Sequence, residues 1–196
     1  MSCERAPILP GRWRLVGFTA VALATAAVLD LMGRGWLCGG PAPWLPWIGD
    51  VGSRHNSQHL FDPYTATHVL HGLVFYAVAW WLLAGRVGPA PRWWLALGAE
   101  ALWEVIENTP VVIERYRTTT AAAGYAGDSI INALGDLLGF AAGYGLAAVL
   151  PLWGSLALFA LVEAVLAMTI RDSLILNVVM LLWPLEWLRD WQAGGR

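Results

Sequence analysis

The stretch Ser57-Gln58-His59-Leu60-Phe61-Asp62-Pro63-Tyr64-Thr65-Ala66-Thr67-His68-Val69-Leu70-His71-Gly72 decides how the chain is read. It passes from a polar loop into an apolar segment, 66–84, and carries two histidines across the boundary. His68 and His71 are spaced i,i+3, so both imidazoles share one helix face. Ionisable side chains cost roughly 2.5–3.5 kcal/mol each on insertion into hydrocarbon, so they sit there for packing or for function.

Working outward, the same pattern returns. Glu100, Glu104 and Glu107 make an i,i+4,i+7 stripe in segment 93–113, where Pro110 is expected to end or kink the helix. A polar loop is expected over 114–127. Asp128, Asn132 and Asp136 make a second stripe in segment 128–150. Gly135, Gly139 and Gly143 in that segment form a small-xxx-small row suited to close helix packing. In the fifth segment, 155–170, Glu163 and the following Arg171 lie eight residues apart on one stripe. A last apolar stretch, 173–188, puts Ser173 and Asn177 on one face; it reads equally as a span, a re-entrant segment or an interfacial helix.

Composition agrees with a bilayer. The 196 residues are 58% hydrophobic and 13% charged, against about 25% charged in soluble domains. The pattern predicts an all-α polytopic transmembrane bundle, one integral-membrane domain over 1–196. It has five to six segments near 13–32, 66–84, 93–113, 128–150, 155–170 and 173–188, with a long outer loop after the first. The first segment is read as an uncleaved span. Several of the 13 Trp flank apolar runs, where interfacial aromatic belts form.

A net charge of -2 gives no nucleic-acid footprint. The lipid bilayer is the one partner implied, and protein partners stay unspecified. The two cysteines, Cys3 and Cys38, flank the first segment, so neither a disulfide nor a ribbon-type zinc site is expected. Six spans with the N-terminus inside put Arg5, Arg12, Arg14, Arg86, Arg92, Arg189 and Arg196 inside and Arg34, Arg54, Arg115, Arg117 and Arg171 outside. That modest bias favours a cytoplasmic N-terminus in the cell inner membrane.

Polar stripes in lipid must face one another. They therefore predict one cavity in the outer half of the bilayer, capped by His59 and Asp62 from the loop. The candidate catalytic residues are His68, His71, Glu104, Glu107 and Asp128. Candidate substrate-binding residues are His59, Asp62, Arg115, Arg117, Asn132, Asp136, Arg171 and Asn177, the arginines suiting a phosphate or carboxylate. His68, His71, Glu104 and Glu107 supply donors that suit a divalent ion such as Zn or Mn. Glu100 and Glu163, the deepest acids, read as structural groups. A His–carboxylate set also fits a purely packing role, and no His-Glu-x-x-His, Gly-rich phosphate loop or Cys-x-x-Cys is present.

Three function classes follow: a metal-assisted intramembrane hydrolase or transferase acting on an amphiphilic substrate, a small transporter or ion-binding protein, and a non-catalytic assembly factor using the Trp44–Trp47 loop.

In combination, several motifs resemble uncharacterised protein family 0314, also called domain of unknown function 2585. They are Ser57-Gln58-His59, Asp62-Pro63-Tyr64-Thr65, His68, His71-Gly72, Trp103-Glu104-x-x-Glu107-Asn108-x-Pro110 and Arg115-Tyr116-Arg117. Gly124-Tyr125-x-Gly127-Asp128-Ser129, Asn132, Asp136 and Arg171-Asp172-x-Leu174-x-Leu176-Asn177 complete the match over about 50–192. The resemblance implies a multi-pass bacterial cell-membrane protein and carries over no activity or catalytic residue.

Overall fold

The computed structural model describes residues 11–39, 44–122 and 124–194. Cys3, Arg5, Pro41, Pro43 and Arg196 lie outside them. Among the described residues there are eight helices: α1 (Gly11–Leu31), α2 (Thr65–Leu83), α3 (Pro89–Glu107), α4 (Pro110–Thr119), α5 (Ile130–Val149), α6 (Leu152–Thr169), α7 (Leu174–Leu182) and α8 (Glu186–Ala193). Three of these, α2, α5 and α6, are long and apolar enough to cross a membrane.

The pairing of α2 with α5 is the backbone of the bundle, and α1 and α3 pack beside it. Its closeness depends on glycine. A Cβ on Gly135 would run into the carbonyl of Leu60, and one on Gly143 into the backbone of Val69. The expected small-residue row therefore faces α2 at Gly139 and Gly143 and the loop leading into α2 at Gly135. Lower in the bundle, Trp93, Ala96, Leu97, Leu137, Phe140 and Tyr144 form an apolar core. The upper turns of the same helices carry the buried polar groups.

Helix starts follow local chemistry. Ser129 caps α5 through Asn132 N, and Ser173 caps α7 through Leu176 N. The first amides of α5 also reach the loop after α1, Ile130 N donating to Gly35 O at 2.8 Å. That loop thus sits directly over the entrance of α5.

Two expectations change here. Segment 93–113 is not one helix: α3 stops at Glu107, Thr109 caps α4, and Pro110 opens α4 as its first residue. Proline lacks the amide that a first-turn position leaves unbonded anyway, so it starts a helix as readily as it ends one. The expected loop over 114–127 is accordingly helical through Thr119. The last apolar stretch is also divided, into α7 and α8, around Trp183 and Pro184. The nine residues of α7 span about 13.5 Å at 1.5 Å per residue, short of a bilayer core.

The outer surface is strongly apolar. Only 6% of the apolar window of α6 is buried. Leu152, Trp153, Met168, Leu182 and Trp183 are each about three-quarters exposed.

Candidate functional site

A cavity of about 580 Å³ opens among α2, α3, α4, the 120–128 loop and α7. His68, His71, Glu107, Asp128, Asp136 and Asn177 line it, so six of the expected residues do meet in one place. One wall is apolar, made by Leu174, Val178 and Leu181.

His68 is the junction. Its Nδ1 lies 2.7 Å from Glu100 Oε1 and 3.2 Å from Glu104 Oε1, and its Nε2 lies 3.9 Å from Asp136 Oδ2. His71 Nδ1 meets the same Glu100 at 3.0 Å. Glu100 and Glu104 are both wholly buried. Glu100 is thus the shared partner of both histidines and belongs to the site, which its apparent depth in the sequence concealed.

The acids differ in how they are satisfied. Nδ1 carries a single hydrogen, directed at Glu100. Both carboxylate oxygens of Glu104 and Oδ1 of Asp136 are buried with no hydrogen-bond donor. The approach of Glu104 to His68 is an electrostatic contact only. Two trios of donor atoms lie within 4.8 Å of one another: His68 with His71 and Glu100, and His68 with Glu104 and Asp136. Glu107 stands apart from both trios and lines the cavity beside Tyr116, whose hydroxyl it holds.

Asp128 is anchored rather than free. Its carboxylate accepts from Asn108 Nδ2 at 2.8 Å and Tyr125 Oη at 3.0 Å, and its amide donates to Asn108 Oδ1 at 2.7 Å. Arg34 Nε donates to its carbonyl at 2.9 Å. Burial, then the nearby Asp128 charge, pushes the Tyr125 hydroxyl well above the ordinary tyrosine range. Burial and Glu107 do the same to Tyr116. Both phenols therefore stay protonated and serve as donors.

Asp62, His59 and Asn132 form the rim's support and do not line the cavity. Asp62 accepts from Ser57 N at 2.9 Å and from Tyr64 N at 2.7 Å. Asn132 Nδ2 donates to His59 O at 2.8 Å. These bonds hold Ser57 at φ 60, a left-handed conformation unusual for serine and found where the surroundings enforce it.

The three expected arginines do not line the cavity, whereas Arg54 of the loop does. Arg115 Nε donates to Leu181 O at 2.9 Å, and Arg117 Nε donates to Tyr125 O at 2.5 Å. Arg171 donates to Trp191 O at 3.0 Å and lies over the Trp191 ring. Its φ of 53 turns the chain at the end of α6, so the eight-residue stripe with Glu163 does not continue. Glu163 instead takes Ser173 Oγ and Leu174 N, both at 2.9 Å. Asp172, not singled out by spacing, accepts from Tyr64 Oη and Gln192 Nε2, each at 3.0 Å, and borders the cavity.

The fold and site define a helical protein of apolar exterior in which His68, His71, Glu107, Asp128 and Asp136 line one cavity and the buried Glu100 and Glu104 contact His68. The match to known proteins is specific. The family model "Protein of unknown function (DUF2585)" covers residues 29–194. A UPF0314 protein of Paracoccus denitrificans is 49% identical over 148 residues, 76% of each chain. One from Sphingopyxis alaskensis is 43% identical over 92% of this chain and 95% of its own. One from Novosphingobium aromaticivorans is 39% identical over 100% of both. The chain belongs to the DUF2585 (UPF0314) family. No solved structure matches it.

Proposed function

We propose that the chain is a multi-pass protein of the cell inner membrane, with its N-terminus in the cytoplasm, and that its cavity is a metal-assisted hydrolase or transferase site for an amphiphilic substrate. The carrying observation is the pair of under-satisfied acids. Glu104 and Asp136 are buried, they face His68, and three of their four carboxylate oxygens lack a hydrogen-bond donor. A buried carboxylate without donors is penalised by several kcal/mol, and a divalent cation would answer it.

His68, Glu104 and Asp136 would hold the ion, a nitrogen and two oxygens suiting Zn or Mn. This trio keeps His68 and Glu104 of the four-residue sequence-based set, drops His71 and Glu107, and adds Asp136. Glu100 sits behind it, orienting both imidazoles through their Nδ1 atoms, the arrangement that fixes ring tautomers at metal sites. A bound ion supplies Lewis acidity and a water acidic enough to react near neutral pH. Glu107 stands at the cavity wall as a proton acceptor, and the Tyr125 and Tyr116 hydroxyls are donors.

An amphiphilic substrate is supported by the lining, where a polar floor faces the apolar residues of α7. The membrane reading is supported by three spanning-length apolar helices and by the bare apolar surface of α6.

The test is elemental analysis of detergent-purified protein. Wild type is expected to hold a Zn or Mn equivalent that Glu104→Gln and Asp136→Asn both lose while remaining folded and monodisperse. Metal content unchanged by both substitutions refutes the site.

A further inference from the structure

A second constellation lies outside the cavity, in the loop joining α1 to α2. Cys38, His55 and His59 bring a sulfur and two imidazoles together, with one donor atom of each within 4.8 Å of the others. Cys38 and His55 are 17 positions apart, so the chain folds back on itself to make the group. We propose that Cys38, His55 and His59 form a thiolate–imidazole site for a zinc-class divalent cation, which clamps the outer loop over the entrance of α5.

The details suit metal. Cys38 is 6% exposed and His59 2% exposed. Cys38 is a free thiol. Its Sγ lies 2.9 Å from His55 Nδ1, and the His55 and His59 ring centroids are 6.0 Å apart. His59 Nδ1 lies 2.8 Å from Leu45 O. A carbonyl only accepts, so that nitrogen carries the hydrogen and Nε2 keeps the lone pair a metal takes. Metal-bound histidines are habitually held this way, by a backbone carbonyl on the remote nitrogen. His55 is half-buried, which leaves a path for the ion. Zinc takes a thiolate at about 2.3 Å and imidazoles at about 2.0–2.1 Å, with water or an outside donor completing a tetrahedron. On binding, the Cys38 thiol gives up its proton to solvent.

The site is placed to matter. The Cys38 side of the loop supplies Gly35 and Trp36, whose carbonyls take the first amides of α5. The His55–His59 side supplies Ser57 and Gln58, which border the cavity and bind Ser129 N and Gly127 O. A metal joining the two sides would fasten the rim to α5. This inference does not depend on the cavity metal proposed above.

Cobalt(II) added under reducing conditions to metal-stripped, detergent-purified protein separates the two sites. Only a thiolate ligand gives the near-ultraviolet sulfur-to-cobalt charge-transfer band. Wild type and Asp136→Asn are both expected to show it. Cys38→Ser and His55→Ala are expected to lose it while keeping wild-type helical content and elution. Wild type without the band, or a band that survives Cys38→Ser or His55→Ala, overturns the proposal. Limited proteolysis gives a second reading: added Zn(II) should slow cleavage between 39 and 58 in wild type and leave Cys38→Ser unchanged. Equal protection of both proteins would likewise overturn it.

Discussion

Replacing Gly143 with alanine is the sharpest test of how the bundle is held. A methyl there would stand 2.7 Å from Val69 C and 3.0 Å from Val69 Cα, besides striking the Val69 carbonyl oxygen. Ordinary contact begins near 3.4 Å, so α2 and α5 must separate by at least about 0.7 Å. Backbone cannot swing aside as a flexible side chain does. Overpacking of this kind costs about 1–3 kcal/mol, and the upper half of that range applies. Gly145, two residues along the same helix, has open space around it. There alanine should stabilise by about 0.5–1 kcal/mol, by relieving the entropy of a helical glycine. Thermal unfolding of the purified protein, followed by tryptophan fluorescence, should put Gly143→Ala clearly below wild type and Gly145→Ala at or above it. Because Val69 adjoins His68, Gly143→Ala should also weaken retention of the metal proposed for the cavity. A Gly143→Ala protein as stable as wild type would refute the packing described here.

Other predictions concern single polar groups. Asn108→Ala strips two hydrogen bonds from Asp128, and each buried group left unsatisfied costs about 1–3 kcal/mol; a lower thermal midpoint checks it. Glu163→Gln weakens the cap on α7 by about 1–3 kcal/mol, and amide exchange should quicken at Leu174 and Ile175 before it does elsewhere. Burial, then the Asp128 charge, holds the Asp62 carboxyl above its ordinary value despite the amides it accepts. A raised folded value means its stabilising contribution is fully present below the ordinary value and lost as pH climbs through the raised one. Stability should therefore fall across that interval, with a shallower fall in Asp62→Asn.

Much of the site was legible because its residues obey helical spacing. Asn132 and Asp136 share the α5 face that packs on α2, and Gly135, Gly139 and Gly143 mark the same seam. What spacing could not give was pairing across helices. Glu100 read as a deep structural group, yet the antiparallel pairing of α2 with α3 brings it to 3.0 Å from His71. Arg171 looked like a cavity cation, but a left-handed residue sends it toward Trp191. Pro110 follows the end of α3, as expected, but it also opens α4, where its missing amide costs nothing. Cys38 and His55 were invisible as partners, since nothing periodic links two points of a loop.

The contact between α6 and α7 has a mechanical side. α6 has only Leu166 fully buried, and it packs on the bundle through Leu158, Phe159 and Val162 against Leu70, Leu73 and Ala147. One carboxylate, Glu163, ties it to the first turn of α7, and α7 is a wall of the cavity. That carboxylate couples the tilt of α6 to the start of α7. A force that tilts α6 is delivered at Ser173 and Leu174, and the shape of the cavity is what yields.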